Sequence, residues 1–189
     1  MCINGNACES VEFTSINVNN LNIGCHFKDA CFQMKITTQS TSSVNIECNH
    51  QRSCGQVTMN GEQSQSIIFN VSETSRLERS TIYCPRGSNT LCEIYNYAWQ
   101  SVWYSFIYAD DTEMVGIFGN GLEMLKNTEI HVGNSDKVYI SCEGDERQCE
   151  GLKIYMTDTD LSFPSNRICV KCGINQNDHT CRNTQLIMK

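Results

Sequence analysis

Thirteen cysteines in 189 residues carry most of the reactive chemistry in this chain. Thiols at that density can ligate zinc, act as nucleophiles or close disulfides. Zinc favours Cys-x2–4-Cys knuckles with a second knuckle or a histidine pair nearby. Only Cys169 and Cys172 are spaced in that way. Cys2/Cys8, Cys25/Cys31 and Cys48/Cys54 each read Cys-x5-Cys, while Cys84/Cys92 and Cys142/Cys149 are slightly wider. Disulfides are the chemistry these spacings predict, and with them an oxidising, extracellular or cell-surface setting.

The other reactive groups are more dispersed. Carboxylates gather at Asp110, Asp111 and Glu113, and again at Asp158 and Asp160. Such oxygens can bind calcium or, in pairs, cleave glycosidic bonds, but polar turns also select aspartate. A polysaccharide lyase would need a basic residue beside them, and nothing in the spacing brings Arg147 and Arg167 together. His26, His50, His131 and His179 share no repeat position, and no Ser/His/Asp or Cys/His array is visible. The expectation is a protein without catalysis, metal or cofactor. Aromatic residues concentrate at Tyr95, Tyr97, Trp99, Trp103, Tyr104, Phe106 and Tyr108. In VWYSFIYA a strand alternation would bury one set of rings and expose the other. Exposed Tyr and Trp suit protein interfaces, and flat rings suit sugar faces; the competing role is packing beneath a widened turn. Asn70-Val71-Ser72 is the single glycosylation sequon, and Asn70 is the expected acceptor.

These groups are positioned by a repeat. The first three cysteine pairs advance by one constant step, from Cys2 to Cys25 to Cys48 and from Cys8 to Cys31 to Cys54. A constant long period signals a repeat architecture. After each pair comes an apolar-x-apolar segment: Val11 and Phe13, Met34 and Ile36, Val57 and Met59. A second one precedes the next pair: Leu21 and Ile23, Val44 and Ile46, Ile67 and Phe69. Period-two alternation marks strands with one buried face. One more step of the same length lands on Val71 and Leu77, an apolar pair that can fill the space of a disulfide. Cys84/Cys92 then reads as a restarted corner, Ala109–Met114 as a corner without cysteine, and Cys142/Cys149 and Cys169/Cys181 as later ones. Sandwiches and up-and-down barrels lack such a period, and only two prolines interrupt the strands.

The strand–Cys-x5-Cys–strand coil resembles the cysteine-rich right-handed parallel β-helix repeats of secreted and cell-surface proteins, within the broad pectin-lyase-like fold. The likeness covers residues 1–71 closely and 84–189 loosely. The expected fold is all-β: one domain over 1–189, a solenoid of about seven to eight turns with coils ~4.8 Å apart. Disulfides within corners (Cys2–Cys8, Cys25–Cys31, Cys48–Cys54, Cys84–Cys92, Cys142–Cys149) are favoured over bonds between stacked coils, because both cysteines of a pair vanish together. In the last corner Cys169 pairs with Cys181 and leaves Cys172 as the odd thiol; the alternative is Cys172–Cys181 with Cys169 free.

The net charge of −7 argues against nucleic acid and anionic membranes as partners, and no apolar run is long enough to insert in a bilayer. Residues 1–20 lack a basic start and an apolar core, so a mature chain or a piece of a longer solenoid is expected. The functional expectation is an extracellular structural or interaction module, a filament or surface-assembly subunit with protein partners. The alternative is a carbohydrate-binding or carbohydrate-active β-helix that contacts glycans.

Overall fold

The computed structural model describes residues 8–72, 74–98, 101–119, 123–143, 147–156, 167–172 and 181–188. The strands, in order, are β1 (Glu12–Ile16), β2 (Asn20–Cys25), β3 (Lys35–Cys48), β4 (Thr58–Val71), β5 (Thr81–Tyr83), β6 (Gly87–Asn96) and β7 (Phe106–Tyr108). They continue with β8 (Thr112–Gly119), β9 (Glu129–His131), β10 (Lys137–Cys142), β11 (Lys153–Met156), β12 (Arg167–Cys172) and β13 (Gln185–Met188). All pairings among them are parallel. No helix occurs among the described residues.

The chain winds as a parallel β-solenoid with two ladders. The first stacks β1, the front of β3, the front of β4, β5, β7, β9, β11 and β13. The second stacks β2, the back of β3, the back of β4, β6, β8, β10 and β12. Eight strands in one ladder and seven in the other make seven coil steps from β1 to β13 among the described residues, close to the expected number.

Register explains why these segments stack. On the first ladder one inward column reads Phe13, Ile36, Met59, Ile82, Ile107, Ile130, Ile154 and Leu186. On the second, Ile23, Ile46, Phe69, Ile94, Ile117, Ile140 and Val170 line up in the same way. The step from Ile107 to Ile130, and from Ile117 to Ile140, equals the step from Cys25 to Cys48. The period therefore survives well past Cys84, interrupted by short insertions. Ile36, Met59, Ile82, Ile107, Ile130 and Ile154 are all buried. Each buried side chain of this size contributes about 1.5–3 kcal/mol. A disulfide closing a short corner contributes about 2 kcal/mol, so the apolar columns dominate and the cysteines reinforce.

The corner between the ladders is built by left-handed residues. Ser10, Gln33, Gln56, Arg79, Tyr104, Asn127 and Gly151 all have φ between 50° and 69°, and only one is glycine. Each donates its N–H to a carbonyl of the next coil: Phe32, Gly55, Glu78, Trp103, Lys126, Glu150 and Arg182, at 2.7–3.1 Å. Left-handed backbone costs a non-glycine residue about 1–2 kcal/mol; the inter-coil hydrogen bond holds it there. The following residue points inward, and where it is Ser80, Ser105 or Thr128 its hydroxyl is buried. Ser105 Oγ donates to Leu77 O at 2.7 Å and accepts from Ser80 N at 3.2 Å.

Candidate functional site

The corner columns decide which cysteines meet. Cys25, Cys48, Val71, Asn96, Gly119, Cys142 and Cys172 stack in register. Across the corner, two residues before the left-handed position, stand Cys31, Cys54, Leu77, Val102, Leu125, Cys149 and Cys181. The bonds formed include Cys25–Cys31, Cys48–Cys54, Cys142–Cys149 and Cys172–Cys181, with Cα atoms 5.8–6.2 Å apart. Val71–Leu77, Asn96–Val102 and Gly119–Leu125 take the same places in three consecutive coils without cysteine. Val71 and Leu77 are fully buried, as expected for an apolar stand-in. Cys8 is disulfide-bonded; Cys2 lies outside the described residues.

Two cysteine expectations need correction. Cys172, not Cys169, pairs with Cys181, and Cys169 is the exposed free thiol. Cys172 stacks on the corner cysteine Cys142, whereas Cys169 stacks on Tyr139 in an outward column. Cys84–Cys92 is formed, but at the other bend. Cys92 stacks between Ile67 and Val115, inside the second ladder, so this bond ties the exit of β5 to β6. Its counterpart in the next coil is Ala109 with Val115; Met114, the other half of the expected cysteine-free corner, stacks on Leu91 and is exposed.

The aromatic segment also departs from expectation. Val102 and Tyr104 are left-handed corner residues, so only Phe106–Tyr108 of VWYSFIYA is strand. Trp103 lies half-buried in the corner, where its Nε1 donates to Glu123 O. Tyr104 is exposed, and Tyr97 more so, at 61 %. Trp99 lies outside the described residues. Tyr108 joins a stack that local sequence did not show: Tyr83, Tyr108, His131 and Tyr155, with successive centroids 4.9, 4.7 and 4.5 Å apart. The same outward column carries Thr37 and Asn60 in the earlier, stapled coils. Rings thus begin where the corner cysteines stop, and span the three coils whose corners hold Val71–Leu77, Asn96–Val102 and Gly119–Leu125. Each stacked pair adds about 0.5–1.5 kcal/mol, so three contacts offset roughly one missing disulfide. Burial, then the neighbouring Tyr83, Glu129 and Asp110, hold the Tyr108 phenol above its ordinary range. On the second ladder Tyr95 stacks on Phe118 at 5.0 Å and donates to Glu93 Oε2 at 3.0 Å; burial first, then Glu93, raises its phenol too.

Open clefts among the described residues include two of note. One, about 400 Å³, is lined by Tyr97, Phe118, Gly119, Tyr139, Ser141 and Glu143. The other, about 260 Å³, gathers Asp111, Glu113 and Asp136 with Gly87, Ser88 and Asn134. Its acids already serve the bends: Glu113 Oε2 accepts from Asn89 N at 2.5 Å, and Asp111 Oδ1 from Asn134 Nδ2 at 3.1 Å. Asp110 Oδ1 accepts from Gly133 N at 2.8 Å. Asp158 and Asp160 lie outside the described residues. The sulfurs of Cys142, Cys149 and Cys181 lie within 4.8 Å of one another because two stapled corners stack. All three are in disulfides and are not the thiolates a metal requires.

The described histidines, His26, His50 and His131, do not converge. His26 contacts Asn49 Nδ2 at 3.0 Å and Glu47 at 3.8 Å, His50 is exposed at a bend, and His131 is in the ring stack. His179 and the side chain of Arg167 lie outside the description. Asn70 faces outward in β4, half-buried between Glu47 and Tyr95, and its Nδ2 donates to Asn45 Oδ1 at 2.8 Å. It sits within a sheet, one residue before the end of β4.

Fold and staples define the class: an all-β, disulfide-reinforced parallel β-solenoid. Compared with known protein families, curated proteins and solved structures, the chain matches none.

Proposed function

We propose that this chain is an extracellular structural and interaction module that builds a filament or surface assembly through the ends of its solenoid, without catalysis. One observation carries the reading. Among the described residues, β1 and β2 pair only with β3, β12 only with β10, and β13 only with β11. Among the described residues no strand covers their outer edges, and uncovered strand edges recruit further strands. Exposed apolar side chains accompany them: Phe13 and Ile16 (57 %) at one end, Leu186 (59 %) and Met188 at the other. The disulfides favour secretion into an oxidising environment. The right-handed winding and kinship to pectin-lyase-like helices rest on the coil pattern alone, and a glycan on Asn70 on the sequon.

A carbohydrate-active role is favoured less. Sugars stack on open ring faces, whereas Tyr83, Tyr95, Tyr108, Phe118, Tyr139 and Tyr155 lie against other rings. Sedimentation velocity with negative-stain microscopy tests the proposal. We expect end-to-end association that grows with concentration and is reduced by Ile16→Lys and Leu186→Lys. Monomers at all concentrations would sink it.

A further inference from the structure

Each corner makes one backbone hydrogen bond forward along the solenoid and one back. Forward, the left-handed residue donates its N–H to the next coil, from Ser10 to Phe32 O at 2.8 Å through to Gly151 and Arg182 O at 2.8 Å. Back, the residue that opens each first-ladder strand donates to the coil before, from Lys35 to Val11 O at 2.9 Å through to Gln185 and Leu152 O at 2.8 Å. The two ends hold what this series leaves over. At the last coil Asn183 already has the left-handed conformation, at φ 58°, and no described coil follows to accept its N–H or to donate to Thr184 O. At the first coil Glu9 O and Glu12 N–H hold the complementary places, and no described coil precedes them. We propose that a second copy of this chain docks head to tail in continuing register, with β1 of one copy stacked on β13 of the other. This rests on the end-to-end assembly proposed above and adds its polarity and register.

In that joint Asn183 donates to Glu9 O of the neighbouring copy, and the neighbour's Glu12 N–H donates to Thr184 O. Both bonds repeat ones already made at every described corner step. The side chains match as well. Leu186 and Phe13 close the two ends of one inward column, 59 % and 39 % exposed, and stacking them covers both. Two like ends meeting on one axis would have to pair their strands antiparallel, whereas these corner bonds are spaced for a parallel neighbour. Strand count sets the extent of the contact. Each first-ladder strand from β1 to β11 is followed by a second-ladder strand, but none follows β13 among the described residues. The joint is therefore made at the corner and the first ladder, and one strand place stays open between β12 and the neighbour's β2.

Disulfide trapping tests the register. Continuing the columns puts Thr14 of one copy beside Ile187 of the next, both outward on edge strands. Adjacent strands lie about 4.8 Å apart, within disulfide reach. Chains carrying Cys169→Ser with either Thr14→Cys or Ile187→Cys are oxidised mildly, alone and mixed, and linked peptides are mapped. We expect a mixed Thr14→Cys/Ile187→Cys dimer at least tenfold more abundant than either like dimer. In a second arm Asn22→Cys is made in the chain that keeps Cys169, which continues the same outward column. The open strand place sets those two residues about 9.6 Å apart, beyond disulfide reach, so no link should form. Like dimers that match the mixed one, or a link between positions 22 and 169, would overturn the proposal. Association in sedimentation without the mixed link would overturn the register and leave end-to-end assembly standing; monomers throughout would sink both.

Discussion

Replacing one corner disulfide with the side chains of the next coil should leave a folded but weaker solenoid. Cys48 and Cys54 stack on Val71 and Leu77, and all four are fully buried. The double variant Cys48→Val, Cys54→Leu therefore puts a proven apolar pair into an equivalent place. The disulfide closes a loop with a sequence separation of 6, and the chain-entropy relation gives about 2.3 kcal/mol for a loop that short. The added methyl groups bring a packing strain of about 1–3 kcal/mol, partly offset by their burial. The net loss is about 2–3 kcal/mol, a fraction of the roughly 5–15 kcal/mol typical of a domain. For a chain of this size that lowers Tm by about 5–9 °C. Urea denaturation followed by far-UV circular dichroism measures it. The expected result is a lower midpoint with the slope unchanged, which means the same surface is exposed on unfolding. A variant without β signal, or with a collapsed slope, would refute the claim that the coil is set by its apolar columns.

Two further outcomes follow from the same geometry. Tyr108→Ala removes two stacked contacts, with Tyr83 and His131, and should cost about 1–3 kcal/mol by denaturant midpoint, while Tyr97→Ala stays near zero. Ser105→Ala orphans the buried Ser80 N–H and Leu77 carbonyl, and should lose about 1–3 kcal/mol, with faster amide exchange at Ser80 as the local signature.

Much of the coil was legible in the chain itself. Of the apolar pairs flanking the first three cysteine corners, Phe13, Leu21, Ile23, Ile36, Val44, Ile46, Met59, Ile67 and Phe69 hold inward columns of the first four strands, with Val11, Met34 and Val57 one residue before β1, β3 and β4, and Val71/Leu77 is the cysteine-free corner that the constant step predicts. Reading failed where contacts lie between coils. Cys169 and Cys172 are equally plausible partners for Cys181 by spacing; only the stacking of β12 on β10 separates them. Cys84 and Cys92 look like another corner until register places Cys92 in an inward column of the second ladder. The ring stack was invisible for the same reason, since its members are about one coil apart and each looks isolated within its own strand. Stepping along the chain one coil at a time, from Asn60 to Tyr83 to Tyr108 to His131, is the signal that finds it. In VWYSFIYA, alternation overrode the corner because left-handed positions at Val102 and Tyr104 have no glycine to announce them.

Peptide mapping under non-reducing conditions tests the register most directly. The account predicts Cys25–Cys31, Cys48–Cys54, Cys84–Cys92, Cys142–Cys149 and Cys172–Cys181 as linked peptides, with Cys169 alkylated before reduction. A Cys169–Cys181 peptide, or a bond joining stacked cysteines such as Cys25 and Cys48, would contradict it.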